Sequence, residues 1–166
     1  MKYVLLISLF LCACQRPVRH IVDIDPAFQG YVNEFVAESI NQGRPISITN
    51  LIIAFSDELG PSTIGRCFYY SSDQPNKILI NKQDWPYESD EYRRVTLFHE
   101  LGHCVLGRPH LLNGSIYNGY CSATSIMWPQ IENTTDMYSS NWDEYMHELF
   151  IGSTTAPSCA FTYWAG

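Results

Sequence analysis

Early in the chain, apolar residues recur every three or four positions. Phe28, Tyr31, Val32, Phe35, Val36 and Ile40 share one side of a helical projection, with Asp25-Pro26 ahead of them and Gly43 behind. That spacing predicts an amphipathic helix over about 25–42, its aromatic face turned to a core. Ile48 to Phe55 is an Ile-rich run and reads as a buried strand. Asp57 to Ser62 contains Gly-Pro and reads as a loop. Thr63 to Tyr70 and Lys77 to Asp84 predict two strands of a hairpin joined by an extended turn. Trp85-Pro86-Tyr87 then breaks the pattern, and Ser89 or Asp90 caps a second helix, with Asp90 and Glu91 at its positive end. Phe98, Leu101 and Val105 form the buried side of that helix, while Tyr92, Thr96, His99 and His103 make a separate stripe facing a cleft. Gly102 costs the helix about 1 kcal/mol relative to Ala, which suggests that another backbone packs closely there, that of the turn around Met127. From His110 to Cys121 the chain is polar, with Asn-Gly turns, and a loop is expected; Ile131 to Tyr138 is irregular. Ser140 or Asn141 caps a last helix carrying Trp142, Tyr145, Met146, Leu149 and Phe150 and ending at Gly152. The stretch from Gln15 to Asp23 reads as a short polar linker.

The second helix carries the chemistry. His99 and His103 are four apart, so their rings project from one face a turn apart and can take two corners of a tetrahedral zinc site. Glu100 lies beside them and can accept a proton from water activated by the metal. Gly107 can end the helix in a left-handed conformation, and Pro109 cannot continue it. The chain turns back, and His110 can supply the third corner. Three protein ligands and one open position make a catalytic rather than a structural site.

These residues, His99-Glu-Leu-Gly-His103 with Gly107 and His110, resemble the signature of the metzincin clan of zinc endopeptidases, HExxHxxGxxH, with one more residue before the glycine. Ser125-Ile-Met127-Trp-Pro129 resembles the clan's methionine turn. The longer spacing is similar to small bacterial lipoproteins carrying HELGHCxLxRxH and SIMxP, and the motifs cover Phe98 to Pro129. The resemblance implies a zinc metalloendopeptidase with one catalytic Zn2+ on His99, His103 and His110. Glu100 would be the general base, and Met127 an apolar floor that does not ligate. It implies an α+β fold: one small metzincin-like domain over 25–166, a short mixed sheet packed on the active-site helix, and N- and C-terminal helices. By the same analogy Ile78 to Lys82 is the cleft's upper rim, where a peptide substrate lies antiparallel. Some metzincins place a tyrosine two residues after the methionine; Pro129 stands there, leaving Tyr117, Tyr138 or Tyr145 to serve. Gluzincin-type peptidases instead take a Glu from a later helix, for which Glu144 and Glu148 stand, with His147 a further candidate. A lipoprotein that binds zinc without catalysis is the reading from another class.

Composition sets the frame. At 166 residues, 46% hydrophobic and 16% charged, the chain has room for one domain with a real core. Its formal charge of −7 argues against nucleic acid as a partner and would tend to repel acidic substrates. A peptide or protein substrate and a monomeric state are expected. Lys2, the short apolar run Val4 to Leu11, and Leu11-Cys-Ala-Cys14 resemble a bacterial lipoprotein leader. Residues 1–13 would be the signal peptide, Cys14 the lipidated anchor to a membrane, and 14–24 a linker. That places an exported lipoprotein at the outer membrane or cell surface, in an oxidising compartment. Cys67, Cys104, Cys121 and Cys159 then form disulfides. Four cysteines allow three pairings; Cys104–Cys121, pinning the helix to the methionine turn, with Cys67–Cys159 is the expected one.

Overall fold

The computed structural model describes residues 21–70, 74–117, 120–130, 135–152 and 159–160; the leader and Cys14 lie outside them. The Ile-rich run forms β2 (Leu51–Ser56), inside a four-stranded sheet. On one side it pairs in parallel with β1 (Val22–Ile24), and on the other with β4 (Asn76–Asn81). β3 (Gly65–Phe68) runs antiparallel to β4 and closes the order β1-β2-β4-β3. Parallel neighbours need a crossover, which α1 (Gln29–Asn41) supplies between β1 and β2. α1 starts four residues later than its apolar spacing suggests, because Asp25 holds a turn by accepting the Ala27 and Phe28 amides, both at 2.9 Å. The expected linker is also shorter: Val22–Ile24 belongs to the sheet, as a strand of three residues too brief to display an alternation.

The expected hairpin forms, but its rim is the other strand. β4 is internal, and its Ile78 and Ile80 are fully buried; β3 is the outer strand. Beneath the sheet lies α2 (Asp90–Cys104), opened by Ser89, whose hydroxyl accepts the Tyr92 amide at 3.1 Å, with Asp90 and Glu91 in the first turn. Its Val95, Leu97, Phe98 and Leu101 are fully buried. Phe98 meets Phe35 of α1 edge-on at 5.1 Å and Trp142 at 5.2 Å, and Phe35 meets Phe150 at 5.0 Å. These rings join α1, α2 and α4 (Trp142–Ile151), which ends at Gly152 with φ of 112°. A short α3 (Thr135–Ser140) precedes α4 where irregular chain was expected. The expected loop after His110 contains a hairpin, β5 (Asn113–Tyr117) and β6 (Tyr120–Ala123), with β7 (Cys159–Ala160) on the other side of β5. The architecture is thus mixed α+β, with four α-helices among the described residues.

The disulfide pairing differs from expectation. Cys67 bonds to Cys104, which rules out both Cys104–Cys121 and Cys67–Cys159. Alternation along β3 is the reason: Gly65 and Cys67 face α2, and Cys104 is the helix's last residue. Cys121 and Cys159 stand in β6 and β7, on opposite sides of β5.

A Cys67–Cys104 cross-linked peptide is expected on mapping the unreduced protein, and Cys104 linked to Cys121 would contradict the fold. Loop-closure entropy for the 37-residue separation predicts that Cys67→Ser with Cys104→Ser lowers unfolding stability by about 4 kcal/mol, read by denaturant titration.

Candidate metal centre

His99 and His103 leave α2 on the same side, one turn apart. The extra residue before Gly107 is absorbed by widening the exit from the helix. α2 ends at Cys104; the Leu106 amide reaches back to Leu101 and the Arg108 amide to Gly102, at 3.4 and 2.9 Å. Gly107, at φ of 67°, takes the left-handed step that reverses the chain, as its position suggested. His110 is thereby carried to the other two rings. Nε2 of His99 is 3.1 Å from Nε2 of His103 and 3.1 Å from Nε2 of His110, and the three ligand atoms all lie within 4.8 Å of one another.

Two backbone carbonyls fix the rings. Nδ1–H of His99 donates to Ile126 O at 2.7 Å, and Nδ1–H of His103 donates to Arg108 O at 2.6 Å. A carbonyl only accepts, so the proton of each neutral ring sits on Nδ1 and a lone pair on Nε2. The 3.1 Å contact between these two Nε2 atoms is therefore acceptor against acceptor, which is repulsive until a cation lies between them. Protonation is a poor remedy: burial pushes His99 down to about 4 and also lowers His103 and His110. Three imidazoles, two of them with the second nitrogen tied back, suit a bound transition metal ion.

Glu100 and the three histidines line one open cleft of about 670 Å³. Glu100 is 7% exposed, and burial raises its carboxyl to about 7, against the Cys67 amide hydrogen bond and the Arg66 charge, which lower it. Tyr92, Thr96, His99 and His103 all line this cleft, as their stripe suggested. β3 lies so close that a Cβ at Gly65 would be 2.9 Å from Glu100 Cγ. Of the tyrosines singled out by sequence, Tyr138 and Tyr145 are buried against each other at 5.1 Å, the Tyr145 hydroxyl donating to Ala123 O. The side chain of Tyr117 is outside the described residues. The cleft's tyrosines are Tyr69 and Tyr92, and Tyr69 donates to His103 O at 2.6 Å.

Met127 is fully buried against α2, and a Cβ on Gly102 would overlap its sulfur. The close neighbour of Gly102 is thus the turn around Met127, as expected, though it approaches through the Met127 side chain rather than its backbone. The turn around Met127 is tied to the histidines twice, through Ile126 O on His99 and through Met127 O, which accepts the Leu111 amide beside His110 at 2.9 Å.

Glu148 is not brought to the histidines. Its carboxylate pairs with the Arg108 guanidinium and accepts from the Ser125 hydroxyl, which in turn accepts the Met127 amide at 2.9 Å. His147 contacts Gln42 at 3.3 Å, and Glu144 is exposed. Arg108 also donates to the carbonyls of Glu148 and Leu149 at 2.8 and 2.7 Å. A closed circuit results: His103, Arg108, Glu148, Ser125, the methionine turn, His99. The sequence offered a sign of it, since Glu148 shares the helical stripe of Tyr145 and Leu149, where an acid needs a partner. Compared with protein-family models, with curated proteins and with solved structures, the chain matches none of them.

Opening this circuit should loosen the histidines. Glu148→Gln is expected to weaken metal affinity roughly 10- to 100-fold, measured by competition with a chelator. An affinity equal to wild type would show that the circuit does not hold the rings.

Proposed function

We propose that the protein is a zinc-dependent endopeptidase of metzincin-like type, with His99, His103 and His110 as ligands and Glu100 as general base. The observation that carries the reading is the set of Nε2 atoms facing one another beside a buried carboxylate at the floor of an open cleft. Zinc, when bound there, supplies an electrophile that acidifies water and polarises a carbonyl. Glu100 takes the proton from the attacking water and returns it to the leaving amine. Its proton affinity near neutrality suits both halves of that task. The Cys67 amide holds the carboxylate in place. Met127 packs beneath the helix and keeps water from that side of the rings. A peptide laid along the outer edge of β3 would exchange main-chain hydrogen bonds with it and run across the histidines.

The same reading extends to location. Among the described residues no helix is long and apolar enough to cross a membrane, and the leader-like run ending at Cys14 would supply a lipid tether at the outer membrane or cell surface. Peptides and proteins within reach of that surface are the substrates, with no role for nucleic acid.

The purified chain is expected to bind one equivalent of zinc and to cleave an unstructured protein such as casein, losing both on chelation. Glu100→Gln should retain the zinc and lose at least about 100-fold in turnover. Activity within tenfold of wild type would remove Glu100 as the base, and a chain that takes up no zinc would end the proposal.

A further inference from the structure

Arg66 of β3 differs from the other arginines among the described residues. The other four described arginines are tethered: Arg44 to Phe150 O, Arg93 to Trp85 O and Pro86 O, Arg94 to Glu34, and Arg108 to Glu148. Arg66 is exposed, and among the described residues its guanidinium has neither an ion pair nor a hydrogen bond. Yet it stands at the cleft. Its neighbours Gly65 and Cys67 face α2, so Arg66 leaves the outer strand on the other face, and it is nonetheless among the residues that line the cleft. Apart from the histidines, Arg66 and Glu100 are the charged residues of the lining, and the Arg66 charge is near enough to act on the Glu100 carboxyl. With a dication on the three neutral rings, the cleft is positive in a chain whose formal charge is −7. A concave region of opposite sign to its surroundings focuses ions of the complementary charge.

Resting on the peptidase reading, we propose that Arg66 is a specificity residue that selects substrates with an acidic side chain close to the scissile bond. The overall acidity of the chain, which would repel acidic substrates, is reversed where the substrate lies. The reach is short. The amide next to Arg66 touches the general base, and an extended peptide advances about 3.3 Å per residue, so the favoured acid falls within about two residues of the cleaved bond.

The test uses zinc-loaded full-length protein and a peptide series with Glu, Gln or Lys at each of those positions. The expected order in kcat/KM is Glu, then Gln, then Lys, with a factor of roughly three to five per step at low salt that shrinks as salt is added. Arg66→Gln should erase the ratio, Arg66→Glu should invert it, and Arg66→Lys should keep part of it, which separates charge from misfolding. A second arm measures binding of fluorescent Glu and Lys peptides to the Glu100→Gln protein by anisotropy, with and without Arg66→Gln. Equal rates across the series, or a Glu preference that survives Arg66→Gln, would overturn the assignment. If no peptide is cleaved, the peptidase reading fails. The anisotropy arm still decides Arg66: a Glu preference lost with Arg66→Gln upholds it, and equal binding overturns it.

Discussion

Bringing two unprotonated ring nitrogens, those of His99 and His103, to 3.1 Å in a partly buried place is unfavourable in a protein without a cation. Like-signed lone pairs repel, and the low polarity around His99 strengthens that repulsion. The surrounding structure is arranged to bear this cost. Two carbonyls fix which nitrogen faces inward, a glycine at positive φ returns His110, and the turn at Met127 contacts α2 and the chain after His110 together. Each of these devices is cheap alone; together they leave the rings one arrangement.

The cleft depends on the same helix from its other side. β3 approaches α2 so closely that glycine is required at position 65, and the bond from Cys67 to Cys104 joins the strand to the residue after His103. The Cys67 amide then reaches Glu100. One short edge strand therefore sets the distance between rim and floor and also orients the carboxylate. That economy explains why β3, only four residues long, is where the cleft's lone unpaired arginine among the described residues stands.

How much of this was legible in the sequence depended on the range of the interactions. Local signals read well. The cap at Ser89, the stripe from Tyr92 to His103, the reversal at Gly107 and the stop at Gly152 each follow from a few neighbouring residues. Elements defined by distant partners did not. Val22–Ile24 is a strand because β2 lies beside it, and three residues carry no period of their own. Whether β3 or β4 formed the edge was set by the pairing of β4 with β2, whose Leu51 lies opposite Asn76, a distant partner invisible to alternation. The cysteine pairing failed for the same reason, because it follows from which face of β3 meets α2. Asn118-Gly119 read as a turn inside a loop, although it is the dipeptide favoured by two-residue hairpins and Tyr117 and Tyr120 on either side of it are paired. Glu148 stood out in the sequence as a possible metal ligand, but its partners Arg108 and Ser125 lie on distant segments that helical spacing does not reveal.

A helix such as α4 leaves its final carbonyls without partners of its own. Here two of them are answered by Arg108, which belongs to the stretch between the second and third histidines, and a third by Arg44. Order in that stretch and order in the final turn of α4 are therefore one property. Hydrogen exchange at the last amides of α4, far along the chain from any histidine of the site, becomes a remote gauge of how firmly that stretch is held.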